Sequence, residues 1–245
     1  QGDWSSDVCS SDLTVGSGEY NEVKISGSGR ICGDVKCERF AVSGSAHSAG
    51  VIECSGELSV SGSLKTDGGV KADSARISGS TAIGGDLCAN TLKIAGSAAV
   101  SGNCTVTEAS ISGSIKVGGG LSAEKLVLGG KATIEGLLNA ETAEITLHAG
   151  CGCSEIGAIG GGRVTVRRHN GSAVSGLVAI FGGRGFASLK TTSIEADSVE
   201  LENTTADTVR AVDVTLGDGC DIGTVEYSGT LTVSEIGRAS CRERV

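Results

Sequence analysis

An aliphatic residue followed by a small residue and a glycine recurs along the first two thirds of the chain. The triplets are Ile25-Ser26-Gly27, Val42-Ser43-Gly44, Val60-Ser61-Gly62, Ile77-Ser78-Gly79, Ile94-Ala95-Gly96, Ile111-Ser112-Gly113 and Leu128-Gly129-Gly130, with Ile145 next in register. The steps between them are 17, 18, 17, 17, 17, 17 and 17 residues. A fixed period of this length marks a repeat architecture, in which no single unit can bury its own apolar face.

Inside each unit apolar and polar residues alternate. After Ile77 the apolar positions are Ile83, Leu87, Ala89 and Leu92, and after Ile94 they are Val100, Cys104, Val106 and Ala109. Alternation of this kind predicts half-buried strands. A helix is excluded, because so many glycines at fixed spacing would each cost nearly ~1 kcal/mol relative to alanine. Turn signals separate the strands. Gly-Ser pairs stand at 27, 44, 62, 79, 96 and 113, and a second corner is marked by Gly33-Asp34, Gly68-Gly69, Gly85-Asp86, Gly102-Asn103 and Gly119-Gly120. These residues tolerate left-handed backbone, so left-handed corners are expected. A third, more polar corner falls at Glu38-Arg39, Asp73-Ser74, Thr107-Glu108, Glu124-Lys125 and Glu141-Thr142. Three strands and three corners make one turn of about 17 residues, and turns stacked about 4.8 Å apart pair each strand with the one above. The predicted fold is therefore all-β, a parallel β-solenoid of triangular β-helix type.

The period loosens after Ile145 and returns near Ile194, where Ala196, Val199, Leu201, Ala206, Val209, Val214, Leu216, Cys220, Ile222, Val225, Tyr227 and Leu231 follow strand-like alternation. Between lies a stretch without a single acidic residue, 156 to 194, carrying Arg163, Arg167, Arg168, Arg184 and Lys190 together with Phe181 and Phe186. The expected organisation is a lead-in at 14–23, a main β-helix at 24–166, a basic glycine-rich excursion or hairpin at 167–190 and a second β-helical stretch at 191–235. Arg167, Arg168, Phe181, Arg184 and Phe186 are candidates for contact with an anionic membrane surface or an acidic partner.

The two ends do not share this pattern. Segments 1–13 and 236–245 resemble translated sequencing-adapter sequence and are expected to be artefacts. Without them 25 acidic and 17 basic residues remain. An acidic chain of this kind is not expected to bind nucleic acid. Forty glycines, no proline, no methionine and 2% aromatic residues mean that any core is built from small aliphatic contacts. No apolar run is long enough for a transmembrane helix. Eight cysteines remain, Cys32, Cys37, Cys54, Cys88, Cys104, Cys151, Cys153 and Cys220. In a long chain with an aliphatic core they read as reduced thiols, and the expected compartment is cytoplasmic.

Candidate chemistry is sparse. Cys37 and Cys54 occupy equivalent inward offsets in successive units, Cys104 also points inward, and Cys32 and Cys88 should face out. His148, Cys151 and Cys153 could supply three soft metal ligands, but Cys151 falls at a core offset and no fourth ligand is near in sequence. His47 and His169 are distant from them. Glycine-rich runs such as Gly160-Gly161-Gly162 lack the lysine and the strand-to-helix setting of a phosphate loop. No catalytic residue, cofactor site, metal site or small-molecule substrate is expected. The structural positions singled out are the ladder Ile25, Val42, Val60, Ile77, Ile94, Ile111, Leu128 and Ile145.

The run of Ile-Ser-Gly-Ser units, followed by Gly219-Cys220-Asp221-Ile222-Gly223-Thr224-Val225-Glu226-Tyr227, resembles the bactofilin family of bacterial polymer-forming cytoskeletal proteins, above all its longer forms in Gram-positive spore formers. The resemblance covers nearly all of 24–233. It implies a right-handed triangular β-helix that self-assembles without nucleotide into filaments or ribbons, alone or with a paralogue. It also implies a scaffold for cell-envelope, shape or motility machinery at the inner face of the membrane. The chain departs from shorter members in running well past eight turns. Two other classes share such prisms: a left-handed β-helix acyltransferase, which favours three near-equal hexapeptides and a loop histidine, and a secreted adhesive or carbohydrate-binding solenoid.

Overall fold

The structure is a computed structural model and describes residues 6–8, 13–169, 187–234 and 238–243. Every element among them is a β-strand. None is a helix that could cross a membrane. The chain divides into two compact units, 1–122 and 123–245.

The first unit is a parallel β-solenoid. Each coil contributes one short strand, such as Ser80–Ile83, and one long strand, such as Leu87–Ile94. From Ser63 to Ile111 short strands pair with short and long with long, in parallel and one period apart. The long strand spans two faces. Its burial alternates except at two consecutive exposed or half-exposed residues, Asn90 and Thr91, where the third corner bends the chain without ending the strand.

Six inward positions recur from Val35 to Val117, in successive coils. In the coil after Ile77 they are Thr81, Ile83, Leu87, Ala89, Leu92 and Ile94, all buried. Register places Ile25 on Val42, Val42 on Val60, Val60 on Ile77, Ile77 on Ile94 and Ile94 on Ile111. All of these are at most 2% exposed, so the column is a continuous aliphatic spine. The position at Thr81 is the one that alternation alone does not reveal, because its occupants in successive coils are Gly29, Ala46, Leu64, Thr81 and Ala98.

The corners are tight for a different reason from the one expected. Among the described residues, left-handed backbone occurs at Gly150, Gly152, Gly219 and Asn203, with φ of 92°, 78°, 74° and 47°. Gly44, Gly62, Gly79, Gly96 and Gly113 are not among them. They are glycine because coils stack too closely for anything else: a Cβ on each would fall on the carbonyl oxygen of the glycine one coil earlier. The Gly-Ser corner is thus a steric consequence of the inter-strand spacing.

The second unit repeats the principle with longer strands, Lys131–Leu147, Cys153–Arg168, Ser188–Leu201 and Thr204–Leu216, again parallel. Ile145 lies on Val166, Val166 on Leu201, Leu201 on Leu216 and Leu216 on Val233. Leu128 and Ile145 are buried. Between the register partners Val166 and Leu201 the chain includes 170–186, which lie outside the described residues.

Candidate functional site

The most regular feature of the first unit is the stack itself, in which like residues sit on like. Besides the Ile/Val spine and the glycine column, Ser28, Ser45, Ser63, Ser80, Ser97 and Ser114 form one in-register row of exposed or half-exposed hydroxyls. One neighbouring column carries charges that alternate in sign from coil to coil, whereas in another Arg76 lies on Lys93. Glu19 lies on Lys36, Lys36 on Glu53 and Glu53 on Lys71, with Lys36 Nζ and Glu53 Oε2 3.3 Å apart. Arg76 reaches Glu57 at 3.1 Å, and in the second unit Arg210 reaches Glu226 at 2.9 Å. These pairs are exposed, so each contributes at most about 1 kcal/mol.

A second set of contacts ties the corners together. The Asp34 carboxylate accepts the backbone N–H of Val51 at 2.8 Å, Asp86 accepts that of Asn103 at 2.7 Å, and the Asn103 side-chain oxygen accepts that of Gly120 at 2.9 Å. In the second unit Asp213 accepts from both the backbone N–H and the hydroxyl of Thr230, at 2.9 and 2.6 Å. Those two bonds hold the Asp213 carboxyl below the usual carboxylate range. Glycines precede several of these donors because the reaching side chain fills the space where a Cβ would be: Asp86 Oδ1 at Gly102 and Asn103 Oδ1 at Gly119.

The thiols divide by environment. Cys37, Cys54, Cys104 and Cys220 are buried, Cys32 and Cys88 are exposed, and Cys151 and Cys153 are half-exposed. Cys37 lies directly on Cys54 in the ladder. Cys104 is alone in its column beside Leu87, and burial, with a smaller push from Cys88, raises its thiol pKa to about 12. Burial likewise pushes the Cys220 thiol up.

His148 and His169, remote in sequence, are stacked with ring centroids 4.5 Å apart. They meet because Leu147 and Arg168 end adjacent strands in register. Cys151 stands in the turn that follows His148 and is half-exposed, not at a core position. Among the described residues no group of three or more His, Cys, Asp or Glu side chains is placed to hold a metal ion. Of the residues expected to touch a membrane or partner, Arg167 is paired with Glu200 at 2.9 Å, and the Arg168 backbone N–H donates to Glu202 at 2.6 Å. Phe181, Arg184 and Phe186 lie outside the described residues.

Open grooves lie among the described residues. One of about 300 Å³ is lined by Glu195, Asp197, Arg210, Glu226 and Tyr227, and in it the Arg210 guanidinium is already bound by Glu226. Another, of about 410 Å³, lies over Arg30, Ser45 and His47, whose ring is 3.4 Å from Asp67.

Fold and stack together define a repetitive β-solenoid protein. No protein-family model matches the chain, and no solved structure matches it. It is similar to the "Uncharacterized protein YhbF" of Bacillus subtilis (strain 168), with 41% identity over 91 residues. That match spans 37% of this chain and about a third of the relative, 34% of its length.

Proposed function

We propose that this protein is a structural scaffold of bactofilin type, whose molecules assemble into nucleotide-independent filaments or ribbons by continuing the coil stack from one copy to the next. The observation that carries the reading is that successive coils of the first unit meet through matched columns. Aliphatic side chains lie on aliphatic, glycine on glycine and serine on serine, and in the column Glu19, Lys36, Glu53 and Lys71 acid alternates with base. A surface that pairs with its own repeat inside one molecule is chemically equipped to pair with it in another. A parallel strand edge that carries no proline favours such addition. A contact that repeats without closing generates a filament and not a ring.

The partners in this reading are further copies of the chain or a paralogue with the same coil. The place of action is the cytoplasm, against the membrane where envelope or motility machinery sits. No substrate turnover is part of the role. Ser6–Val8 pairs on Val23–Ile25, and Arg238–Glu243 pairs on Asp221–Tyr227. The test is therefore negative-stain electron microscopy and sedimentation of the protein with and without 1–13 and 236–245, in the absence of nucleotide and metal. Filaments or ribbons that become more abundant on removal of those segments support the reading. Discrete trimers, of the kind an acyltransferase prism forms, overturn it.

A further inference from the structure

One coil of the first unit breaks the period, and it does so beside a pair of thiols. Strand Ile52–Val60 has nine residues, while its neighbours Val35–Val42 and Val70–Ile77 have eight. Register runs without fault to Cys37↔Cys54 and resumes at Phe40↔Leu58, so the surplus residue is a bulge at Ser55–Glu57. Gly56 sits in it, where a Cβ would meet the Glu38 carbonyl oxygen at 2.7 Å. Bulges re-aim the side chains next to them and gather near functional positions. The residue immediately before this one is Cys54.

In its column Cys54 lies next to a second thiol, Cys37. Tyr20, Cys37, Cys54, Ala72, Ala89 and Val106 follow one another in register. Cys37 is 6% exposed and Cys54 3%. Register partners in a parallel ladder lie about 4.8 Å apart, inside the Cα range of roughly 4.4–6.8 Å that a disulfide spans. The two thiols also differ. As a thiol, Cys54 donates to the Glu38 carbonyl at 3.1 Å. As a thiolate it accepts a hydrogen bond from the Cys37 thiol, with further support from the backbone N–H groups of Gly56 and Phe40. These bonds outweigh burial and the Glu57 charge and bring its pKa down. The bond to Cys54, then burial, pushes Cys37 up. One member of the pair is thus disposed to attack and the other to remain protonated. Cys104 and Cys220 are buried too, but Cys104 lies on Leu87 in its column and the Cys220 thiol donates to the Leu201 carbonyl at 3.2 Å.

We propose that Cys37 and Cys54 form a thiol–disulfide switch, oxidised by a hydroperoxide, that places a covalent link between two successive coils. The Cys54 thiolate attacks one peroxide oxygen, the O–O bond breaks and hydroxide or alkoxide leaves, giving the sulfenic acid. The Cys37 sulfur then attacks the Cys54 sulfur, the S–O bond breaks, and the departing hydroxide takes the Cys37 proton and leaves as water. The dithiol loses two electrons and the hydroperoxide gains them. The bulge supplies the local play that the shorter Cβ spacing of a disulfide demands. This switch does not depend on assembly between molecules.

The test uses the full chain. It is exposed to hydrogen peroxide at neutral pH, free thiols are then alkylated in denaturant, and the peptides are analysed by mass spectrometry. The expected product joins the peptides of Cys37 and Cys54, is two hydrogens lighter than the pair, and reverts with dithiothreitol. In Cys37→Ala, Cys54 should stop at a sulfenic acid that dimedone traps. In Cys54→Ala, Cys37 should stay reduced under the same exposure. If Cys54 remains a free thiol after peroxide, or is oxidised no faster than Cys104, the proposal fails. That comparison is made in the unaltered chain and stands even where an alanine variant does not fold.

Discussion

Asp86 and Asn103 occupy the same corner of successive coils, and the Asp86 carboxylate accepts the Asn103 backbone N–H at 2.7 Å. Asn103 hands the same bond on to Gly120, so the corner is held by a relay of side chains that reach along the stack. Replacing Asp86 by alanine strands one corner N–H. Because the corner is exposed, the expected loss is about 1 kcal/mol. Asp86→Asn keeps an acceptor oxygen and should recover most of it. Urea denaturation of the three proteins, compared at constant slope, measures the difference.

Gly79→Ala should be far more damaging. The added Cβ would fall on the Gly62 carbonyl oxygen, which is backbone and cannot yield without parting two coils. A loss above ~3 kcal/mol is expected, the scale of backbone incompatibility and overpacking. Ser78→Ala, one residue away and outward-facing, should change stability by less than about 0.5 kcal/mol. Thermal unfolding followed by circular dichroism separates the two.

These corners show how far the sequence could be read. The strand pattern was legible because alternation and period both survive in the side chains: Ile77, Ile83, Leu87, Ala89 and Leu92 announce their burial. The glycine positions were legible, but not their cause, since a turn glycine and a glycine crowded by the coil beneath look alike in a string of letters. The inward position of Thr81 was hidden because its column also holds glycine, alanine and leucine. Asp86 appeared only as a turn former, its bond lying 17 residues away. The encounter of His148 with His169 follows from the register of two long strands and has no local signal. The bulge at Gly56 did leave a trace, the single 18-residue step from Val42 to Val60.

Thr81 is 3% exposed, and its hydroxyl has no hydrogen-bond partner. Its column neighbours are Leu64 and Ala98. Thr81→Val keeps the shape and removes the unpaired hydroxyl, so it should raise stability by about 1 kcal/mol, near the low end of the cost of a buried unsatisfied group. A variant less stable than the parent would show that the hydroxyl is satisfied in solution.

Cys104 gives the stack an alkaline limit. Its folded thiol is raised to about 12 from an ordinary 9.0, chiefly by burial, so the folded chain holds this proton more tightly than the unfolded one. The resulting stability is fully present below pH 9 and is lost as pH rises toward 12, amounting to on the order of 4 kcal/mol. Cys104→Ala should be less stable at neutral pH because of the cavity. It should also lose less of its remaining stability than the parent between pH 9 and 11. Parallel slopes for the two proteins would remove Cys104 as the cause.

If coils stack between molecules as they do within one, fibre diffraction or high-resolution imaging of the assembled protein will show it. The expected result is filaments formed without nucleotide, with a strong repeat near 4.8 Å along the filament axis, the spacing of parallel strands. Particles that stay discrete, or filaments whose 4.8 Å repeat runs across the axis, would contradict it.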